Sequence, residues 1–249
     1  MNLKAKMMLL ITSVSLTGCM GDSLCGEYNE IATLDRNENK IADYRFQVIG
    51  DSILNYHDIT CKSVGHRLGL KVGEQILNKP ITGAKVHEIH QQYIPPTEGE
   101  PDYDYIIANG GLNDLIADTK VGAPEETACD CNGTADHDAC ILEIEDISQR
   151  MSNVIDTIHS TSDATIALMA YYPAEATNSF IGECFPYIEE LNNSYRKIAD
   201  NDQKVQIIET YGSGHPTIQK VSPFGRDNYH PTPDGSEQMA AQIEFQLGL

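Results

Sequence analysis

From Tyr44 onward the chain alternates short apolar runs with longer stretches in which apolar residues recur at roughly helical spacing. Arg45–Ile49 (RFQVI), Tyr103–Ala108 (YDYIIA), Thr165–Tyr171 (TIALMAY) and Val205–Ile208 (VQII) predict strands, with a weaker one around Glu74–Leu77. Cys61–Leu70, Cys140–Ser160 and Pro186–Asn201 predict helices between them, and Pro233–Leu247 a closing helix. Strands alternating with helices argue for a parallel sheet covered on both faces, an α/β fold in three α/β/α layers. In such folds ligand sites gather at the carboxyl ends of the strands. No internal repeat or low-complexity segment interrupts the pattern.

The stretch ahead of Tyr44 differs in kind. Lys4 and Lys6 precede an apolar run from Met7 to Leu16, long enough for the apolar region of an export signal and too short to span a bilayer as a mature helix. The run ends in Leu16-Thr17-Gly18-Cys19, which resembles the bacterial lipobox, where cleavage before the cysteine leaves it as a lipid-bearing N-terminus. The expected organisation is a signal peptide over 1–18, a lipidated tether over 19–43 and one domain over 44–249, held at a membrane of the bacterial cell envelope, periplasmic or surface-facing, without spanning it. The alternative is an ordinary secretory signal with a chance cysteine. Gly21–Asp43 is polar and without periodicity. Within it Asp35, Asn37, Asn39 and Asp43 resemble the oxygen-rich calcium loops of thrombospondin type 3 and dockerin repeats. Those loops usually have glycine where Lys40 stands and occur as arrays, so a plain polar turn is the preferred reading.

Composition narrows the partners. A chain of 249 residues with 41% hydrophobic content fits one large domain with a proper core. Seventeen basic against 37 acidic residues leave a formal charge of −20, which repels a phosphate backbone and argues against nucleic acid. The acidic excess reads as a solvated surface, in keeping with a monomer. Beyond Cys19 there are six cysteines, Cys25, Cys61, Cys129, Cys131, Cys140 and Cys184, an even number in a chain addressed to an oxidising compartment, so three disulfides are expected. Cys129 and Cys131 are too close to pair comfortably with each other, and Cys140 is a near partner for one of them. The rival is a metal cluster of Cys129, Cys131, His137, Asp138 and Cys140, but C-x-C…C does not supply two C-x-x-C knuckles.

Two copies of Gly-Asp-Ser-Leu/Ile compete for chemistry, at Ser23 and Ser52. Ser52 follows the apolar run FQVI and precedes a helix-compatible segment, so its hydroxyl is expected at a strand's carboxyl end beside a helix N-terminus. Free backbone N–H groups and the positive dipole end there favour charge developing on a substrate oxygen. Ser23 sits four residues beyond the lipid site with no strand to aim it, and is read as coincidence. Three further pieces follow in order: ITGA (Ile81–Ala84) with Gly83 after the weak strand, ANGGLNDL (Ala108–Leu115) with Asn113 after the strand at Tyr103, and DNYHPTPDG (Asp227–Gly235) before the last helix. Alone, each could be a cap or a turn. HEIHQ (His87–Gln91) fails as a zinc-protease helix because its histidines are three apart where four are needed, and it reads as solvated surface. His57, His66 and His137 lie in no partner pattern, and Asp114 is read as shaping a turn.

Together the four pieces resemble the SGNH hydrolases, also called the GDSL esterase and lipase family, over about Tyr44 to the C-terminus. The resemblance implies a flavodoxin-like fold, Ser52 as nucleophile, His230 as base and Asp227 as the carboxylate that orients it. It also implies an oxyanion hole from the N–H of Ser52, the N–H of Gly83 and the side chain of Asn113, with no cofactor. The reaction implied is hydrolysis of a small-molecule carboxylic ester through an acyl-serine. The segment Asp118–Asp138, rich in turn residues and cysteine, would wall one side of the pocket; with no long apolar lid and no Trp in the chain, small or polar acyl esters such as acetyl esters are expected over long-chain triglycerides. The rival class is a non-catalytic surface lipoprotein that binds a glycan or lipid in the same pocket.

Overall fold

A computed structural model of the chain describes residues 44–97, 99, 101–116, 129, 131, 136–173, 182–211 and 229–249. Five strands, β1 (Phe46–Ile49), β2 (Ile76–Asn78), β3 (Tyr105–Ala108), β4 (Thr165–Met169) and β5 (Val205–Ile208), form one parallel sheet in the order β2-β1-β3-β4-β5. This is the flavodoxin-like order, in which the chain reverses its direction of travel between β1 and β3. The register aligns the carboxyl ends: Val48 lies opposite Asn78 and Ile107, Ile49 opposite Ala108, and Ala108 opposite Leu168.

Because parallel strands need crossovers of one hand, the reversal sends helices to opposite faces. One face carries α2 (Val64–Val72) packed on α7 (Pro233–Leu247), and the other carries α5 (His137–His159) packed on α6 (Phe185–Asn201). Three one-turn helices, α1 (Ser52–Asn55), α3 (Val86–Ile89) and α4 (Leu112–Leu115), cluster at the carboxyl edge, with a 3-10 turn at Asp58–Thr60. On α5 the residues Ile144, Ile147, Met151, Val154, Ile155 and Ile158 recur at helical spacing and are all buried. Each fully buried aliphatic side chain of this kind contributes about 1.5–3 kcal/mol. Among the described residues no helix is long and apolar enough to cross a membrane.

All five predicted strands and all four predicted helices are present; β5 and α7 keep their predicted limits and the others have shifted ends. Helix α2 begins at Val64 because Cys61 adopts a left-handed conformation (φ 53°), and it runs to Val72, where Gly73 (φ 72°) caps it and Glu74 N–H bonds Gly69 O at 3.0 Å. That cap removes Glu74 from the second strand, which starts at Ile76. Strand β4 ends at Met169 because Tyr171 N–H turns to the Asn192 side chain at 2.8 Å. The polar residue of β1, Gln47, is fully buried, and its amide donates to Gln92 O at 3.0 Å.

Candidate active site

Ser52 opens helix α1 directly beyond β1, at the carboxyl edge beside the reversal point. The turn that delivers it is built by its two predecessors. Gly50 (φ 147°) lies against the Asn109 side chain so closely that a Cβ would come within 1.9 Å of Asn109 Oδ1. Asp51 is the N-cap of α1: its Oδ1 accepts from Ile53 N–H at 2.9 Å and from Asn109 Nδ2 at 2.9 Å, while its Oδ2 accepts from the Tyr171 hydroxyl at 2.6 Å. Asp51 N–H in turn donates to Asn109 Oδ1 at 3.0 Å. Burial pushes the Asp51 carboxyl upward, and the hydrogen bonds from Tyr171, Ile53 and Asn109 pull against it. Gln92 closes the other side of the turn, accepting Gly50 N–H at 2.6 Å and donating to Gly50 O at 2.9 Å.

Ser52 is 7% exposed, and its hydroxyl meets His230 Nε2 at 2.8 Å. His230 precedes α7, whose N-cap Thr232 accepts from Gly235 N–H at 3.0 Å. The backbone ahead of His230 is fixed by two buried tyrosines, with the Tyr172 hydroxyl donating to Tyr229 O at 2.6 Å. Asp227 lies outside the described residues, as do Cys19, Ser23, Cys25, Asp35, Asn37, Asn39, Asp43 and most of the 118–138 segment.

Gly83 and Asn113 meet at the same edge. Gly83 (φ 80°) occupies a turn closed by Ala84 N–H on Ile81 O at 3.1 Å. That turn is tied to both sides of Ser52: Ile81 N–H bonds Gly50 O at 3.0 Å, and Asn55 Nδ2 donates to Thr82 Oγ1 at 3.0 Å. Asn113 sits on α4, which follows Gly111 (φ 100°), where a Cβ would come within 2.7 Å of Ile147. Its Nδ2 donates one hydrogen to Ala84 O at 3.1 Å, and an amide carries a second. Asp114, next in sequence, accepts from Val86 N–H at 3.0 Å and from Arg150 at 2.9 Å. Consecutive residues of α4 thus grip Ala84 and Val86 from one side. Burial pushes the Asp114 carboxyl up to about 6, against the pull of Val86 N–H and Arg150.

Cys129 bonds Cys140 and Cys131 bonds Cys184, which ties the strip beyond α4 to the starts of α5 and α6. Cys61 is disulfide-bonded as well. With their sulfurs in disulfides, Cys129, Cys131 and Cys140 do not form the metal cluster weighed against pairing, and among the described residues no such cluster exists. His87, Glu88 and His90 are exposed around α3, as expected of a solvated surface. His66 does have partners: its Nδ1 lies 2.7 Å from Ser63 Oγ and 3.4 Å from Asp58 Oδ1.

The sequence assigns no role to Asp51, Asn109, Tyr171 or Gln92, which build the turn that carries Ser52. Asp51 carried a usable signal, an N-cap carboxylate before a helix, whereas its partners lie 58 and 120 residues away.

Among solved structures, a member of the lipolytic protein G-D-S-L family from Veillonella parvula is similar at 13% identity, with a TM-score of 0.56, covering 82% of this chain and 98% of that one. An acetyl xylan esterase from the rumen bacterium Butyrivibrio proteoclasticus is similar at 14% identity and a TM-score of 0.53, covering 84% and 66%. A further acetyl xylan esterase, AlAXEase, is similar at 16% identity and a TM-score of 0.51, covering 80% and 96%. A search of curated proteins returned no match. The model of the GDSL-like Lipase/Acylhydrolase family matches residues 48–238, a span that contains Ser52, Gly83, Asn113, Asp227 and His230 and leaves Ser23 outside. The chain belongs to that family, the GDSL or SGNH hydrolases, and is a carboxylic ester hydrolase.

Proposed function

We propose that Ser52 is the nucleophile of an acyl-enzyme mechanism, with His230 as its base and Asp227 as the carboxylate that orients the imidazole. The observation that carries this reading is the 2.8 Å contact between Ser52 Oγ and His230 Nε2. A serine hydroxyl is a weak nucleophile until a base takes its proton, and an imidazole does this near neutral pH. As Oγ attacks the ester carbonyl, its proton passes to Nε2 and the carbonyl oxygen becomes an oxyanion. The N–H of Ser52, the N–H of Gly83 and the second hydrogen of Asn113 Nδ2 receive that charge. Collapse expels the alcohol with the proton from Nε2, and water repeats the sequence to release the acid.

The substrate class that fits is a small or polar acyl ester such as an acetyl ester. It is supported by the turn-rich 118–138 segment in place of a long apolar lid, and by the acetyl xylan esterases among proteins of similar fold. The lipobox-like Leu16-Thr17-Gly18-Cys19 supports an organisation of signal peptide 1–18, lipid-bearing tether 19–43 and hydrolase domain 44–249, exported and anchored at a membrane surface. A series of p-nitrophenyl esters of rising chain length tests the substrate: kcat/KM is expected to be highest for acetate and to fall with length, and a maximum at long chains would reject the reading. Metabolic labelling with a palmitate analogue tests the anchor, which is wrong if Cys19→Ala retains the label.

A further inference from the structure

We propose that Tyr56, backed by His57, is a positioning residue that holds the His230 imidazole in the plane from which it takes the Ser52 proton. The proposal rests on the assignment of Ser52 and His230 above and concerns two residues outside the four motif blocks.

Tyr56 follows α1 by one residue, and its N–H bonds the carbonyl of Ser52 at 2.8 Å, so its backbone is set by the nucleophile's own turn. Its ring lies parallel to that of His230, with centroids 4.3 Å apart and planes 10° apart. His57 meets the other side of this arrangement. Its ring packs edge-on against Tyr56 at 4.8 Å and 79°, and it is hydrogen-bonded to the carbonyl of Pro231, the residue after His230. To reach that position His57 takes a left-handed backbone conformation, φ 66°, uncommon for a residue with a Cβ. Among the described residues its Nε2 is buried without a hydrogen-bond partner. Strain and an unsatisfied nitrogen are both retained where the His57 ring supports the loop of the base.

The chemistry gives this stack a purpose. Nε2 accepts the serine proton only while the ring plane contains the Oγ direction, and rotation about Cβ–Cγ would swing it away. A flat ring 4.3 Å from the imidazole blocks that rotation on one face. When the proton arrives, the imidazolium lies over the electron-rich face of Tyr56, an attractive arrangement for a cation. His57, through Pro231, holds the backbone that carries the ring.

The test compares Tyr56→Leu, Tyr56→Phe and His57→Asn in the full chain, reading kcat and KM on p-nitrophenyl acetate and the rate of fluorophosphonate labelling. Tyr56→Leu is expected to lower kcat and labelling about 10-fold or more with KM within about twofold, since orientation of the base is lost and ester binding is not. Tyr56→Phe keeps the ring face and is expected to retain at least about a third of wild-type kcat. His57→Asn tolerates the left-handed backbone but is too short to reach Pro231, and is expected to lower kcat about threefold or more. Wild-type kcat in Tyr56→Leu, or a Tyr56→Phe as impaired as Tyr56→Leu, overturns the proposal. If Tyr56→Leu does not fold, His57→Asn decides alone, with wild-type kcat overturning it. A wild type that is not labelled overturns the nucleophile assignment and this proposal with it, whereas a labelled wild type beside an unimpaired Tyr56→Leu overturns this proposal only.

Discussion

Among the described residues, two serine–histidine contacts have nearly equal length and opposite character. Ser52 Oγ lies 2.8 Å from His230 Nε2, and Ser63 Oγ lies 2.7 Å from His66 Nδ1. The second even has a carboxylate close by, Asp58, with Oδ1 3.4 Å from the same Nδ1 and 3.3 Å from the serine. Its geometry nevertheless forbids a relay. Serine and Asp58 share one ring nitrogen, so this carboxylate cannot steady the far side of the imidazole while a proton enters at the near side. Ser63 is wholly buried before α2, while Ser52 faces the strand-end edge where Gly83 and Asn113 converge. Asn78 Nδ2 also donates to Asp58 at 2.6 Å, which makes the Asp58–Ser63–His66 group a latch between the 3-10 turn, α2 and β2. A short contact therefore identifies a nucleophile only together with access, oxyanion donors and a far ring nitrogen open to an orienting carboxylate.

Mutation should separate the two serines sharply. Ser52→Ala is expected to lower kcat by about 1000-fold or more in a folded protein, because a methyl group cannot attack and the remaining donors only stabilise charge. Wild-type turnover in a folded Ser52→Ala would erase the distinction. Asn113→Ala is expected to lower kcat about 100- to 1000-fold with a smaller change in KM, as for a donor used mainly in the transition state. An equal change in both would mean that the amide binds substrate without discriminating the transition state.

The pH dependence of folding probes the support behind the Gly83 turn. Burial raises the folded-state Asp114 carboxyl from 3.8 to about 6, so between those values the folded chain holds a proton that the unfolded chain has released. Stability from this group is full below about pH 4 and falls by up to about 3 kcal/mol as pH rises to about 6. Denaturant titrations at several pH values should show Asp114→Asn losing that fall; an unchanged slope would mean that Asp114 titrates alike in both states. The smallest effect belongs to the buried latch. Ser63→Ala should cost about 1–2 kcal/mol of stability by stranding its polar neighbours, and leave kcat on p-nitrophenyl acetate as it was. Loss of kcat with unchanged stability would reverse the comparison.

What the sequence discloses follows from the range of the interactions involved. Strand β5 and helix α7 match their predicted limits because a four-residue run with three β-branched apolar residues and a long periodic segment behind Thr-Pro are local signals. The one-turn helices α1, α3 and α4 are too short to show periodicity, though they carry Ser52 and Asn113 and follow the Gly83 turn. Motif order made Ser52, Gly83, Asn113 and His230 legible, since each block sits at a strand end or before a helix. The grip of Asp51 on Asn109 and Tyr171 was not legible, because which residues meet across β1, β3 and β4 depends on strand order. Disulfide connectivity was hidden for the same reason: Cys129–Cys140 spans 11 residues and was open to a near-partner argument, while Cys131–Cys184 spans 53 and requires the packing of α6 beside α5.

We propose that Ser52 is the serine activated as a nucleophile. The most direct measurement is to treat the folded, purified protein with a fluorophosphonate and map the adduct by peptide mass spectrometry. A single adduct on Ser52, absent from His230→Ala, is the expected result. An adduct on Ser63 or Ser23, or none in a protein that hydrolyses p-nitrophenyl acetate, would contradict it.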